Sequence, residues 1–455
     1  MSKPNVIFIM ADDLGYGDFR CVNGGLNETP NLDALYSESR RMTQGYAASC
    51  VCAPSRAGFL TGRYPHRTGC TDLNDYNGLN WLDPDETTIA DIFKKGGYHT
   101  GLIGKWHCGS IRECRPENRG FTEVATYHPQ GKDYWNWTID ENGTEVESNG
   151  RYLTDYITER TVKFLKDNKD KPFFLHLAYY TPHRPLQAPQ HLIDKYMSRG
   201  NLTPGQAVVY AMIEVMDEGI GKINATLEEL GLKENTIVIF TSDNGPDDHE
   251  VNGLSPVRFN CGLRGNKYFV HDGGIRVPFM VSWPERMEAD SDCHELLHFV
   301  DVLPTLAAAC DIDIPLNLML DGQNKLAAWR GESGGICEAR YWQWNRYYPT
   351  EECNAAMREG DWKLVLPDRT GFRNMCADNV AMVLGKVPFE ITRPVRPELG
   401  PPGEPMLFNI ADDPCEKYDL SDKYAHRTRK MYEQLNKWFY EVRGDLDVII
   451  NKRFS

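Results

Sequence analysis

The chain has 455 residues, 41% hydrophobic and 25% charged, a composition that suits a globular protein with more than one core. Its formal net charge of -15 at pH 7 argues against nucleic acid or an anionic membrane as the main partner, while leaving room for a local basic pocket that holds a small anion. No apolar run reaches the roughly 18 residues needed to span a bilayer, and the 13 cysteines, odd in number and without a C-x-x-C pair, point to reduced thiols and away from a zinc site.

The chain opens Met1-Ser2-Lys3-Pro4-Asn5 with no leader pattern of charged segment, apolar run and small-residue cleavage site. As written it is expected to be cytoplasmic, or periplasmic or secreted if a signal has been removed. Val6 to Met10 reads as a buried parallel strand ending in Ala11-Asp12-Asp13. Thr29-Pro30 caps and starts a helix. Pro54 is suited to a first helical turn that Gly62 closes, which puts Cys52 just outside a helix N-terminus, where free N–H groups attract an anion, and Arg56 one turn further on, able to turn back towards it. A helix near Thr88–Lys95 leads to a strand at His99–Ile103 that ends in Gly104-Lys105-Trp106-His107. Phe173–Ala178 is a strand running into Thr181-Pro182-His183-Arg184, and an amphipathic helix from about Gly205 to Leu230 precedes a strand at Thr236–Phe240 that ends in Ser242-Asp243-Asn244. Val277–Trp283 reads as another strand.

Strands alternating with helices imply a large, mostly parallel sheet sandwiched by helices, with ligands beyond the carboxyl ends of its strands. The polar clusters above all fall at those ends. After about Pro315 the texture changes: strands at Glu338–Trp344, at Met357–Leu366 with a turn at Gly360-Asp361, and at Met406–Ile410, a Pro/Gly-rich loop over about Pro388–Pro405, and a final helix at Tyr424–Val442. The expected division is a large α/β domain over 1–325 and a smaller C-terminal α+β domain over 326–455 carrying a short antiparallel sheet.

Asp12, Asp13, Asp243 and Asn244 offer three carboxylates and an amide oxygen, hard ligands that suit Ca²⁺ or Mg²⁺; either pair by itself more often describes a turn or a cap, and it is the two together at strand ends that raise a metal to an even reading. Taken singly, His107 reads as a bonded loop histidine, His183 as turn chemistry between prolines, and Lys267 as a solvated loop lysine.

Together these residues carry a resemblance. Pro4 to Asp18, Cys52-Ala53-Pro54-Ser55-Arg56 with Leu60-Thr61-Gly62-Arg63, Gly104-Lys105-Trp106-His107, Thr181-Pro182-His183, Ser242-Asp243-Asn244-Gly245, Gly273 to Pro278 and Leu407 to Ile410 occur in the order found in the type I, formylglycine-dependent sulfatases of the alkaline-phosphatase-like superfamily, which this chain resembles over nearly its whole length. Asp272 stands where that family usually has glutamate, and Cys108 where many relatives have a leucine-like residue.

The resemblance implies a sulfatase in which a maturing enzyme oxidises Cys52 to formylglycine, whose hydrate attacks sulfur through one hydroxyl and expels sulfate through the other. It implies one Ca²⁺ held by Asp12, Asp13, Asp243, Asn244 and modified Cys52. It also implies sulfate contacts from Lys105 and Lys267, support of the modified residue by Arg56, proton donation to the leaving alcohol by His183 and proton removal by His107. A sulfated carbohydrate is the favoured substrate, ahead of simple aryl sulfates. Trp135 and Trp137, with Arg184 and His271, are candidate substrate contacts, and the two tryptophans fit core packing equally well. The aromatic run Tyr341 to Tyr348 is a further surface able to approach the pocket. The rivals are a phosphate or phosphonate monoester hydrolase of the same superfamily, and a non-catalytic glycan-binding relative in which Cys52 stays a thiol.

Overall fold

Strand β1 (Asn5–Ala11) is buried along its whole length, because Ile7, Ile9 and Ala11 enter the core on one face of a sheet while Val6, Phe8 and Met10 enter the core on the other. The structure, a computed structural model, describes residues 3–74, 78–127, 133–332, 338–369, and 393–455 apart from 395, 398 and 402. Part of the expected Pro/Gly-rich loop lies outside these residues.

The other strands of the large sheet are β2 (Arg40–Tyr46), β3 (His99–Gly104), β4 (Glu123–Tyr127), β5 (Thr138–Glu141), β6 (Thr144–Glu147), β7 (Phe173–Ala178), β8 (Thr236–Ser242), β9 (Phe279–Ser282) and β10 (Ser291–His298). Their order is β10-β2-β9-β8-β1-β7-β3-β4-β5-β6. The central ladder β8-β1-β7-β3-β4 is parallel, so β1, β3, β7 and β8 deliver their carboxyl ends to one rim. The expected Val277–Trp283 strand is shorter, and it runs antiparallel to β8. The Leu153–Asn168 and Pro204–Glu229 helices fill one face, the latter started by a reciprocal Thr203–Gln206 cap.

A second sheet, of β11 (Arg340–Gln343), β12 (Ala355–Glu359), β13 (Trp362–Leu366) and β14 (Met406–Asn409), is wholly antiparallel. Gly360, at φ 57°, takes the β12–β13 turn, a conformation that favours glycine. The final helix, Ala425–Arg453, is longer than expected and buries Met431, Leu435, Trp438, Phe439 and Val442 against this sheet. The two sheets are joined tightly. Lys363 Nζ lies 2.7 Å from Asp272 Oδ1, which sits on the large-sheet side, and Trp342 Nε1 donates to the Ala47 carbonyl at 2.8 Å. No helix among the described residues is long and apolar enough to cross a membrane.

Candidate active site

Four parallel strands end at one point. Beyond β1 lie Asp12 and Asp13, beyond β3 Lys105 and His107, beyond β7 the loop carrying His183, and beyond β8 Asp243 and Asn244. The backbones lock together there: Asp12 N donates to Thr181 O at 3.0 Å, Asp243 N to Ala11 O at 3.1 Å and Lys105 N to Ala178 O at 2.8 Å. Gly104 allows the last of these, since a Cβ at its φ of 108° would lie 1.9 Å from the Ala178 carbonyl oxygen. Asp13 (φ 63°), His107 (φ 60°) and Tyr268 (φ 82°), the neighbour of Lys267, all hold left-handed backbone, a concentration of strain at one place.

The Cys52–Thr61 helix begins two residues before Pro54, because the first helical N–H groups need no internal partner and proline is tolerated throughout that turn. Cys52 is thus the first helical residue, buried, with Sγ 3.4 Å from Asp12 Oδ1 and 3.9 Å from Asp13 Oδ1. Burial, with Asp243 beside it, pushes the thiol well above its usual range, so as a plain cysteine it is a poor nucleophile.

Arg56 does not turn back to the sulfur. Its Nε and Nη2 both reach Asp243 Oδ2, at 3.0 and 2.7 Å. Lys105 Nζ is 2.5 Å from Asp12 Oδ2, and Lys267 Nζ 2.7 Å from Asp13 Oδ2. Three buried carboxylates are thus matched by three buried cations. Burial and the nearby Asp12 raise the Asp243 carboxyl to about 6, whereas for Asp13 burial is outweighed by Lys267 and His183 and its carboxyl falls.

Oxygen atoms of Asp12, Asp13 and Asp243 and the Cys52 sulfur lie within 4.8 Å of one another. Asn244 Nδ2 donates to Asp13 Oδ1 at 2.8 Å, while its Oδ1 is buried with no hydrogen-bond partner. A buried carbonyl oxygen left over beside three carboxylates fits a hard divalent cation.

His107 Nε2 lies 2.8 Å from the Leu73 carbonyl, which only accepts, so the proton is on Nε2 and buried Nδ1 has a free lone pair. Burial, with Lys105 nearby, holds this imidazole well below its usual range. His183 Nδ1 donates to Arg184 O at 2.6 Å, and its Nε2 faces Asp13 Oδ2 at 3.7 Å. Burial, then Lys267, lowers it to about 3.

The substrate-contact candidates divide. Arg184 is bound to Asp247, a buried carboxylate that the sequence reading passed over although it lies four residues after Asp243. Trp135 is 39% exposed and tilts against Tyr152. Trp137 is a correction: 2% exposed, it packs on Tyr156 and donates Nε1 to Arg151 O, leaving no face for a ligand. His271 is likewise corrected, because its Nδ1 is taken by Glu416 at 3.1 Å in the junction with the small sheet. Asp272 serves that junction too, accepting from Tyr46 at 2.8 Å. Trp342 and Trp344 are core residues, and the Trp344 ring backs Tyr268 at 5.6 Å. Tyr180 was also missed: Lys105 Nζ lies 5.5 Å from its ring centre.

With this geometry in hand, similarity to known proteins is informative. A family model described as Sulfatase matches residues 4–312, and one described as N-sulphoglucosamine sulphohydrolase, C-terminal, matches residues 265–367. Arylsulfatase J of Mus musculus is 30% identical over 470 residues, spanning 96% of this chain and 76% of that protein. The N-acetylgalactosamine-6-O-sulfatase of Bacteroides thetaiotaomicron is 28% identical, spanning 95% and 92%. Among solved structures, Ps i-CgsB aligns with a TM-score of 0.80 at 28% identity over 96% of this chain and 93% of that one; it is also known in complex with k-i-k-neocarrahexaose.

Proposed function

The chain belongs to the sulfatase family, with the alkaline-phosphatase-like fold and sulfuric ester hydrolase activity of that family, and from that premise we propose that it releases sulfate from sulfated carbohydrates at the rim around Cys52. In this reading residues 1–325 form the catalytic domain and 326–455 the C-terminal subdomain. Cys52 is matured to formylglycine by a separate enzyme, and one Ca²⁺ is held by Asp12, Asp13, Asp243 and Asn244 with the modified side chain. Hydrated formylglycine supplies a hydroxyl to attack sulfur and a second one for release. When bound by these residues, the ion would supply positive charge to acidify such a hydroxyl and to attract sulfate oxygens.

The chain's own residues do the rest. Lys105 and Lys267, paired with Asp12 and Asp13, present ammonium groups to an arriving sulfate, where charge builds as the S–O bond breaks. Arg56 fixes Asp243 and with it the first turn of the Cys52 helix. His107 offers an unprotonated Nδ1 for proton removal, and His183 presents Nε2 for proton transfer to the leaving alcohol, its basicity rising when a sulfate anion offsets Lys267.

The observation carrying this reading is Cys52 Sγ standing within 3.4 and 3.9 Å of two carboxylates at a helix N-terminus. The carbohydrate assignment is supported by a relative named N-acetylgalactosamine-6-O-sulfatase and by a structural neighbour solved in complex with k-i-k-neocarrahexaose. The test joins mass spectrometry of the Cys52 peptide, which distinguishes aldehyde from thiol, with turnover of sulfated sugars, an aryl sulfate and the matched aryl phosphate. An unmodified thiol in active protein, or faster phosphate than sulfate release, overturns it.

A further inference from the structure

Lys267 stands on a tight turn that its own sequence disfavours. Phe269 N donates to Asn266 O at 3.0 Å, which closes a four-residue turn with Lys267 and Tyr268 at its centre. Tyr268, the third residue, holds φ 82°, the value a type II turn demands at a place usually left to glycine. A tyrosine keeps such a backbone only where its surroundings over-determine it.

Those surroundings close in from two sides. On the large-sheet side, Pro246 O accepts from Lys267 N and Cys50 O from Tyr268 N, each at 2.9 Å. From the small sheet comes Asn354, the residue that leads into β12. Its Nδ2 donates to Tyr268 O at 2.7 Å and its Oδ1 accepts from Val270 N at 3.2 Å, so one side-chain amide grips the exit of the turn at a carbonyl and at an N–H. Asn354 is itself fixed. It is 2% exposed, and its Nδ2 also donates to Trp344 O at 2.8 Å while its backbone N donates to Pro367 O at 3.0 Å. Its own φ of 44° is left-handed, a conformation that asparagine adopts more readily than most residues. With both amide hydrogens engaged inside the chain, the side chain acts on the turn and not on a ligand.

We propose that Asn354 is a positioning residue for sulfate recognition: by holding the Tyr268 carbonyl and the Val270 N–H, it sets where the Lys267 ammonium stands. The proposal rests on the sulfate contact assigned to Lys267 above. From this turn Lys267 Nζ reaches Asp13 Oδ2 at 2.7 Å, so a shift of the turn moves the ammonium relative to the carboxylates and to an arriving anion. A misplacement of about 1 Å is enough to cost up to roughly 10²-fold. The small sheet thus shapes the reaction centre without touching the reacting atoms. Because the sulfate group is common to every substrate, the effect does not depend on the leaving alcohol.

The test is a double-variant cycle on the matured enzyme, with Asn354→Gly, Lys267→Ala and the two combined. Glycine keeps the left-handed backbone and removes the amide. The measurements are the dissociation constant of inorganic sulfate by titration calorimetry, and kcat/KM on a sugar sulfate and an aryl sulfate. Asn354→Gly is expected to weaken sulfate binding about tenfold and to lower kcat/KM by a similar factor on both substrates. In the Lys267→Ala background the same change is expected to cost less than about twofold, since the group it positions is gone. Should the glycine variant not fold, Asn354→Ser, which leaves a hydroxyl near the Tyr268 carbonyl, carries the same cycle with a several-fold expected loss. Unchanged sulfate affinity in a folded Asn354 variant, or a full loss that persists without Lys267, overturns the positioning role and leaves the sulfatase reading in place. Unchanged sulfate affinity in Lys267→Ala itself overturns the Lys267 contact, and the proposal with it.

Discussion

Asn244 gives its amide hydrogens to Asp13 Oδ1 at 2.8 Å and to Gly245 O, which leaves its carbonyl oxygen buried and unpaired next to Asp243 in sequence. A buried amide oxygen without a partner, on a residue already bonded to one of the carboxylates, is a candidate ligand for a hard cation. Asn244→Ala is accordingly expected to weaken Ca²⁺ binding by about tenfold or more, as read by calorimetric titration of chelator-treated protein. Undiminished affinity in the variant removes Asn244 from the ligand set.

Cys52→Ala tests the nucleophile. The side chain is small and its thiol contributes only weak hydrogen bonds, so the variant is expected to lose about 1 kcal/mol of stability or less, while sulfate release falls by roughly 10⁴-fold or more. Retained turnover, with the fold confirmed by thermal melting, places the chemistry elsewhere.

His183→Ala tests proton transfer to the departing oxygen. A phenolate with an electron-withdrawing ring leaves without help, whereas a sugar alkoxide does not. The expected loss is therefore about 10²- to 10⁴-fold on a sugar sulfate and much smaller on an activated aryl sulfate. A loss of similar size on both substrates shows that His183 positions sulfate and donates no proton.

Much of this arrangement was legible because its residues sit at strand ends. β1 and β8 are largely apolar runs that stop at Asp12-Asp13 and Asp243-Asn244, β3 closes on Gly104-Lys105, and β7, interrupted by His176, leads through Tyr179-Tyr180 to His183, so strand, boundary and candidate ligand were read together. The rest failed for local reasons. β2, Arg-Arg-Met-Thr-Gln-Gly-Tyr, buries only Met42, Gly45 and Tyr46 of a polar sequence and reads as loop. The β5–β6 hairpin did carry a signal, Asn142-Gly143 with φ of 51° and 88° as a two-residue turn demands, but its strands, Thr-Ile-Asp-Glu and Thr-Glu-Val-Glu, are too polar to suggest a sheet. Trp137 and His271 misled because residue type reveals a side chain's chemistry and not the side of the backbone it occupies. The pairing of Arg56 with Asp243 spans 187 residues, and spacing along one helix cannot reveal it.

That pairing makes a stability prediction. Arg56 is 1% exposed, and both its forked nitrogens serve a carboxylate that is fully buried. Arg56→Ala strands the Asp243 charge and is expected to cost about 3–5 kcal/mol, whereas Arg56→Ala combined with Asp243→Asn recovers part of that loss. Denaturant unfolding of the single and double variants measures the coupling, and strictly additive losses contradict it.

His66 sets an acid limit on the junction between the two sheets. It lies in the Pro65–Thr68 turn, buried, with Nε2 2.8 Å from Gln343 Oε1 on β11 and its ring edge-on to Trp438 of the final helix at 5.5 Å. Burial lowers its imidazole to about 4, against about 6.5 in an unfolded chain. Between those values the unfolded chain binds a proton that the folded one refuses, so stability is full above pH 6.5 and declines as pH falls toward 4. This one group accounts for about 2 kcal/mol of loss between about pH 7.5 and about pH 5. His176, lowered to about 3 by burial and then Arg56, acts in the same direction in the core of the large sheet. His66→Gln, which keeps a polar partner for Gln343 but cannot titrate, is expected to lose about 2 kcal/mol less than the wild type over that interval in paired urea unfolding curves. Parallel losses in the two proteins assign the acid sensitivity to other groups.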